Sequence, residues 1–152
     1  MSVREFVDTN ILIYAFDLTA GEKRDVAATL VARLWSERAG CVSFQVLQEL
    51  YVTTTKKLGM APKDAAAQIH HLGRWTLHRP RLDDILQAID LHRTKKISFW
   101  DAMIVRSAMS LDCSVLWSED LSHGQQFEGV TIRNPFGSSK VKRPHERGGR
   151  LG

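Results

Sequence analysis

Cysteine is scarce: the 152-residue chain has two, Cys41 and Cys113. Two thiols cannot build a disulfide framework, nor a four-ligand zinc site by themselves. Long apolar runs are missing as well. The longest stretch without Asp, Glu, Lys or Arg is ten residues, Ala39 to Gln48, against the about 20 that a membrane-spanning helix needs. Near the start, Arg4, Glu5, Asp8 and Asp17 interrupt any apolar segment. No secretory leader and no membrane association are therefore expected, and the expected compartment is the cytoplasm. Acids are short in one place. Residues 138–152 hold Lys140, Lys142, Arg143, Arg147 and Arg150 against a single acid, Glu146, and so carry the whole net charge of +4. With one Leu, one Val and no aromatic residue, this segment cannot bury enough apolar surface to fold alone. The expected division is a domain over 1–137 and a basic, disordered tail over 138–152. Such a tail attracts phosphate backbones, although a merely solvated terminus is the plainer reading.

What is present is globular. Hydrophobic residues are 43% and charged residues 25%, and this length suits one domain with its own core. Strand-like and helix-like segments alternate. Strands are expected at Val3–Val7, Cys41–Phe44, Trp75–His78, Ser114–Trp117 and Val130–Ile132. Helices are expected at Asn10–Phe16, Glu22–Ala39, Gln45–Leu58, from Pro62 to about Leu72, Arg81–Lys95 and Ser98–Leu111. In Glu22–Ala39 the apolar face is read as Val26, Leu30, Val31 and Leu34; in Arg81–Lys95 apolar residues recur at Leu82, Ile85, Leu86 and Ile89. Alternation of this kind implies crossover units and a parallel sheet with helices on both sides. Ligands of such sheets bind at the carboxyl ends of the strands, near the point where strand order reverses.

Four acids stand out against that frame. Asp8 follows the first strand and Asp120 follows Ser114–Trp117. Glu49 and Asp101 sit in apolar helical surroundings, Val46-Leu47-Gln48-Glu49-Leu50 and Phe99-Trp100-Asp101-Ala102. Each has a purely structural account. Asp8 and Asn10 can cap the first helix. Ser98 with Asp101 resembles a capping box. Glu49 can lie at the edge of a buried face, and Asp120 in a turn. The joint pattern is what these accounts leave over. Two carboxylates about 5 Å apart repel by roughly 3 kcal/mol at an effective dielectric of about 20. Four such groups therefore need protons, basic partners or a cation. Carboxylate oxygens suit Mg²⁺ or Mn²⁺.

The run Phe6-Val7-Asp8-Thr9-Asn10-Ile11-Leu12, Glu49 in its apolar helix, Trp100-Asp101-Ala102, Leu116-Trp117-Ser118-Glu119-Asp120-Leu121 and Asn134-Pro135-Phe136 together resemble the PIN-domain nucleases, in particular the VapC-type toxins of toxin–antitoxin pairs. The resemblance spans residues 3 to 136. It implies a three-layer α/β/α sandwich with a short, mainly parallel central sheet. It implies an endoribonuclease dependent on Mg²⁺ or Mn²⁺, with Asp8, Glu49, Asp101 and Asp120 as catalytic, metal-holding acids. Thr9, Asn10 and Ser118 match the polar residues that steady those acids; Ser118 stands where the family has Thr or Ser. A VapB-type antitoxin, a homodimer and contact with DNA only through the antitoxin are implied too.

The chemistry implied is metal-assisted hydrolysis of a phosphodiester, leaving a 5′-phosphate and a 3′-hydroxyl. An acid cluster repels RNA, so cations are expected nearby: Lys56 and Lys57 at one helix end, and Arg93, Lys95 and Lys96 before Asp101. Lys and Arg at helix C-termini also simply complement the dipole. The four tryptophans are read as core or interface residues and the two cysteines as buried thiols. The histidines show no ligand or triad spacing. Three other readings compete. One is a PIN-fold nuclease of RNA processing without a toxin role. Another is a module that binds nucleic acid or a partner without catalysis. The last is a Mg²⁺ phosphatase with an aspartyl nucleophile, against which Asn10 counts, since some such enzymes place a second Asp there.

Overall fold

The computed structural model describes residues 3–137. The expected tail, 138–152, lies outside the described residues. Six strands form one sheet: β1 Glu5–Val7, β2 Gly40–Ser43, β3 Thr76–His78, β4 Val115–Trp117, β5 Gln126–Phe127 and β6 Val130–Arg133. Six helices connect them: α1 Thr9–Phe16, α2 Glu22–Glu37, α3 Phe44–Lys56, α4 Pro62–Leu72, α5 Leu82–Lys95 and α6 Phe99–Ser110.

The strand order is β3-β2-β1-β4-β6-β5, with all pairs parallel except β5 with β6. The chain winds outward from β1 to β3, then returns to the other side of β1 as β4. Right-handed crossovers place α1 to α4 over one face and α5 and α6 over the other. This is the expected three-layer sandwich. The reversal of direction falls between β1 and β4, where Phe6 pairs with Leu116 and Val7 with Trp117. The antiparallel pair β5–β6 was not anticipated. Its two-residue β5 is shorter than any hydrophobic period can reveal, and Gly129 (φ +91°) makes the turn.

The central strands are apolar because both faces are covered. Phe6, Val7, Cys41, Val42, Leu116 and Ile132 are fully buried. A fully buried Leu, Ile, Val or Phe contributes about 1.5–3 kcal/mol. Cys113 is buried too, as expected of both thiols. Gly40 belongs to β2 because Trp75 lies flat against it: a Cβ there would meet the Trp75 ring at 2.5–2.7 Å. Trp35 packs edge-on to Trp75 and stacks on His71.

Two helix faces differ from the reading of the pattern. The buried face of α2 is Ala27, Leu30 and Leu34, while Val26 is exposed. The apolar row of α5 faces outward: Leu82 is 71% exposed and Leu86 54%, with Ile85 and Ile89 also exposed. The inward face of α5 carries Asp84 and Ala88 instead, with Ala88 packed against Ala102 and Met103 of α6. A polar residue on the core side broke the inference from periodicity. No helix among the described residues is long and apolar enough to cross a membrane.

Candidate active site

The site grows from the end of β1. The amide of Asp8 donates to the Trp117 carbonyl at 2.9 Å, extending the β1–β4 ladder by one rung. Asp8 then turns the chain as the N-cap of α1 and is fully buried. Its Oδ1 accepts from the Thr9 amide at 2.7 Å, and its Oδ2 from the Ser118 hydroxyl at 2.8 Å. The capping role and the site role thus use different oxygens of one carboxylate. Ser118 Oγ also accepts from the amides of Asp120, at 3.2 Å, and Leu121, at 3.4 Å. One hydroxyl therefore ties the turn after β4 to the acid after β1.

A second branch runs from Thr9 to the helices. Thr9 Oγ1 donates to Glu49 Oε1 at 2.6 Å. The other Glu49 oxygen accepts from Gln45 Nε2 at 3.2 Å, and the same nitrogen donates to the Trp100 carbonyl at 3.2 Å. Trp100 precedes Asp101, which lies in the first turn of α6 with its amide on Ser98 Oγ. Ser43 caps α3 in the same way through Val46. Glu49 and Asp101 are 6% and 5% exposed, while Asp120 is half-buried. A continuous hydrogen-bonded path thus joins the turn of Asp120, Asp8, Glu49 and the start of α6. Thr9 and Ser118 are links of this path, and Asn10 stands beside it, its Oδ1 accepting from the Glu119 amide at 3.3 Å.

Among the described residues, no three of the His, Cys, Asp and Glu side chains are grouped as a ready metal cage. The donors along this edge are nonetheless all oxygens, which suits a hard divalent ion rather than zinc or copper. One buried acceptor here, Gln45 Oε1, lacks a partner among the described residues, as does one donor, Asn10 Nδ2.

The candidate cations divide. Arg93, Lys95 and Lys96 are exposed at the end of α5, where Lys96 adopts φ +56° as the C-cap. They lead directly into Ser98 and α6. Lys56 and Lys57 are exposed at the far end of α3, about 10 Å along the helix axis from Glu49.

Two features escaped the sequence. Gln45 stands four residues before Glu49, on the same helix face, and that spacing is the signal that could have found it. The other is a clamp on Glu119: Tyr14 donates to its Oε1 at 2.7 Å, and Lys23 pairs with its Oε2. Lys23 Nζ also lies 4.9 Å from the Tyr14 ring centre and 5.2 Å from that of Phe136. The clamp joins α1, α2, the turn after β4 and the Asn134-Pro135-Phe136 segment.

The histidines gave no triad spacing, yet the fold assembles one contact of that kind. His78 Nδ1 lies 2.7 Å from Ser107 Oγ, and His78 Nε2 lies 3.2 Å from Asp84 Oδ2. Ser107 is 1% exposed and sits inside α6, so no substrate reaches it and it is no nucleophile. Asp84 also binds Arg106 and Ser110, each at 2.9 Å. The network fastens α6 to α5 and β3. Burial pushes the Asp84 carboxyl up. The hydrogen bonds from the Arg81 amide, Ser110 and Arg106, with the charge of His78, outweigh burial and bring it down to about 2. Burial depresses His78, only partly countered by Asp84.

A doubly wound sheet with acids and hydroxyls at its reversal point defines a small α/β domain with an acidic carboxyl edge. The PIN domain family model matches residues 6–125, which include all four acids, and the chain belongs to that family. No curated protein sequence matches the chain. Among solved structures, a toxin–antitoxin complex from Klebsiella pneumoniae is similar at 20% identity and a TM-score of 0.66, covering 86% of this chain and 97% of that one. VapBC-1 from nontypeable Haemophilus influenzae is similar at 21% identity and 0.62, covering 89% and 100%. VapC20 from Mycobacterium tuberculosis, a toxin that cleaves the sarcin–ricin loop, is similar at 22% and 0.59, covering 74% and 86%. At these identities the likeness is one of fold.

Proposed function

We propose that this chain is a divalent-metal-dependent endoribonuclease, the VapC-like toxin of a cytoplasmic toxin–antitoxin pair. The observation that carries the reading is the path joining the turn of Asp120, Asp8, Glu49 and the start of α6 at the switch point of a PIN fold. Asp8, Glu49, Asp101 and Asp120 would hold Mg²⁺ or Mn²⁺. When bound, the ion supplies a hydroxide at neutral pH and offsets charge on the phosphate. Thr9, Ser118 and Gln45 hold the carboxylates by hydrogen bonds, so that little reorganisation accompanies binding. Lys95 and Lys96, beside the start of α6, counter the repulsion between this edge and RNA.

A protein partner is supported by exposed apolar side chains in rows: Phe44, Tyr51 and Val52 on α3, and Leu82, Ile85, Leu86 and Ile89 on α5. Contiguous exposed apolar side chains of this kind suit a protein contact. A second copy of the chain and a VapB-type antitoxin are the proposed occupants. DNA is reached through the antitoxin alone. The basic tail, 138–152, is proposed as a separate segment outside the nuclease domain.

The test is cleavage of RNA by the purified full chain with Mg²⁺ or Mn²⁺, and with the metal chelated. Asp8→Asn and Asp101→Asn should lower the rate by about a hundredfold or more, the equivalent of several kcal/mol of charge stabilisation. Cleavage by both variants at the wild-type rate would sink the assignment.

A further inference from the structure

Gln45 is the second residue of α3 and is 8% exposed. Its amide is oriented without ambiguity. Nε2 lies 3.2 Å from both Glu49 Oε2 and the Trp100 carbonyl, and both of these groups only accept hydrogen bonds. The nitrogen must therefore face them, and Oε1 is left buried with no partner among the described residues. An unsatisfied buried acceptor is destabilising, because it has given up its hydrogen bonds to water. That cost is removed when something outside the chain supplies a donor or a positive charge.

The surroundings decide which kind of ligand fits. A carboxylate and a carbonyl bracket the amide, and the residue after that carbonyl is Asp101. Both groups that face the amide are acceptors, and one of them is a carboxylate. A phosphate oxygen would set acceptor against acceptor. A hydrated divalent cation satisfies the oxygen, directly or through one of its waters, and suits an edge whose other donors are oxygens. We propose that Gln45 is part of the ion-binding site: its Oε1 takes the divalent cation or a water of that cation, while its Nε2 holds Glu49 against α6. The inference rests on the metal-dependent reading above and adds a neutral oxygen donor to a set otherwise made of acids.

The readout is Mn²⁺ binding by the full chain, followed through the loss of the free-ion electron paramagnetic resonance signal, with no RNA present. Gln45→Met keeps the length of the side chain and removes the oxygen; Gln45→Glu keeps an oxygen in its place and removes the donor. Expected are a 10- to 100-fold weakening for Gln45→Met and binding at least as tight as wild type for Gln45→Glu. Should Gln45→Met fail to fold, as judged by melting in chelator, Gln45→Asn withdraws the oxygen by one methylene and carries the same expectation. Binding by Gln45→Met within twofold of wild type would mean that ordinary water fills the place, and the proposal falls. Equal weakening by Met and Glu would mean that only the Nε2 bridge matters, and it falls again. Asp8→Asn separates the two readings. If it abolishes Mn²⁺ binding while Gln45→Met does not, only this inference fails. If wild type binds no Mn²⁺, both fail.

Discussion

Ser118 makes three hydrogen bonds with one oxygen, donating to Asp8 and accepting from the amides of Asp120 and Leu121. Replacing it by alanine leaves a buried carboxylate oxygen without its hydroxyl and frees the turn. Ser118→Ala should lower stability by about 1–3 kcal/mol and weaken Mn²⁺ binding by 10- to 100-fold; Ser118→Thr should restore both. Thermal melts in chelator, paired with metal titration, separate the two effects. The four candidate acids could be named from the sequence because each stands in a distinctive local frame, as in Val7-Asp8-Thr9-Asn10 or Trp100-Asp101-Ala102. Their supporting partners were less so. Gln45 and Glu119 look like ordinary helix and turn residues until the fold brings Trp100, Tyr14 and Lys23 to them. Glu119 meets partners 105 and 96 residues away and has no local signature, whereas Gln45 has one only in its four-residue spacing from Glu49.

Among the elements, α5 shows why pattern and burial part company. Its apolar residues at i, i+3, i+4 and i+7 satisfy every rule for an inward stripe, yet the inward face is organised by Asp84, which binds Arg106, Ser110 and His78. Periodicity reports which side is apolar, not what lies opposite it. Leu86→Glu with Ile89→Glu should therefore leave monomer stability within about 0.5 kcal/mol of wild type and reduce self-association in sedimentation experiments. An unchanged mass would remove α5 from the proposed dimer contact. The Asp84 network has its own pH signature. The Asp84 carboxyl, at about 2, lies below its ordinary 3.8, so the folded state binds fewer protons in that window. Its contribution is complete above pH 4 and is lost as pH falls towards 2. His78, depressed below 6.5, acts in the same direction: its share of stability is complete above 6.5 and erodes as pH falls beneath it. Asp84→Asn should cost about 3 kcal/mol at pH 7, since it strips a buried pair. It should also flatten the fall of melting temperature between pH 4 and 2.

For the whole molecule, charge is distributed so that the domain is neutral and residues 138–152 carry the excess. If the tail meets RNA, deleting it should flatten the salt dependence of RNA binding. On a single strand the log–log slope should fall by up to about 0.7 for each phosphate the tail would have neutralised. Lys95→Ala with Lys96→Ala should also flatten it if those residues lie along the RNA path. Equal slopes for all three proteins would leave both basic segments without a part in binding. The fold class was legible at this scale because strands and helices alternate. The β5–β6 hairpin was not, because two residues cannot show a period.

The middle of the sheet is closed by the two strands the chain makes far apart. Asp8 stands at the end of β1, and the hydroxyl that holds it comes 110 residues further along the chain, just after β4. A growing chain on the ribosome therefore carries its first acid while the edge that acid belongs to does not yet exist. Completion of this edge is therefore a long-range event: whatever the edge binds has to wait until β4 has docked beside β1.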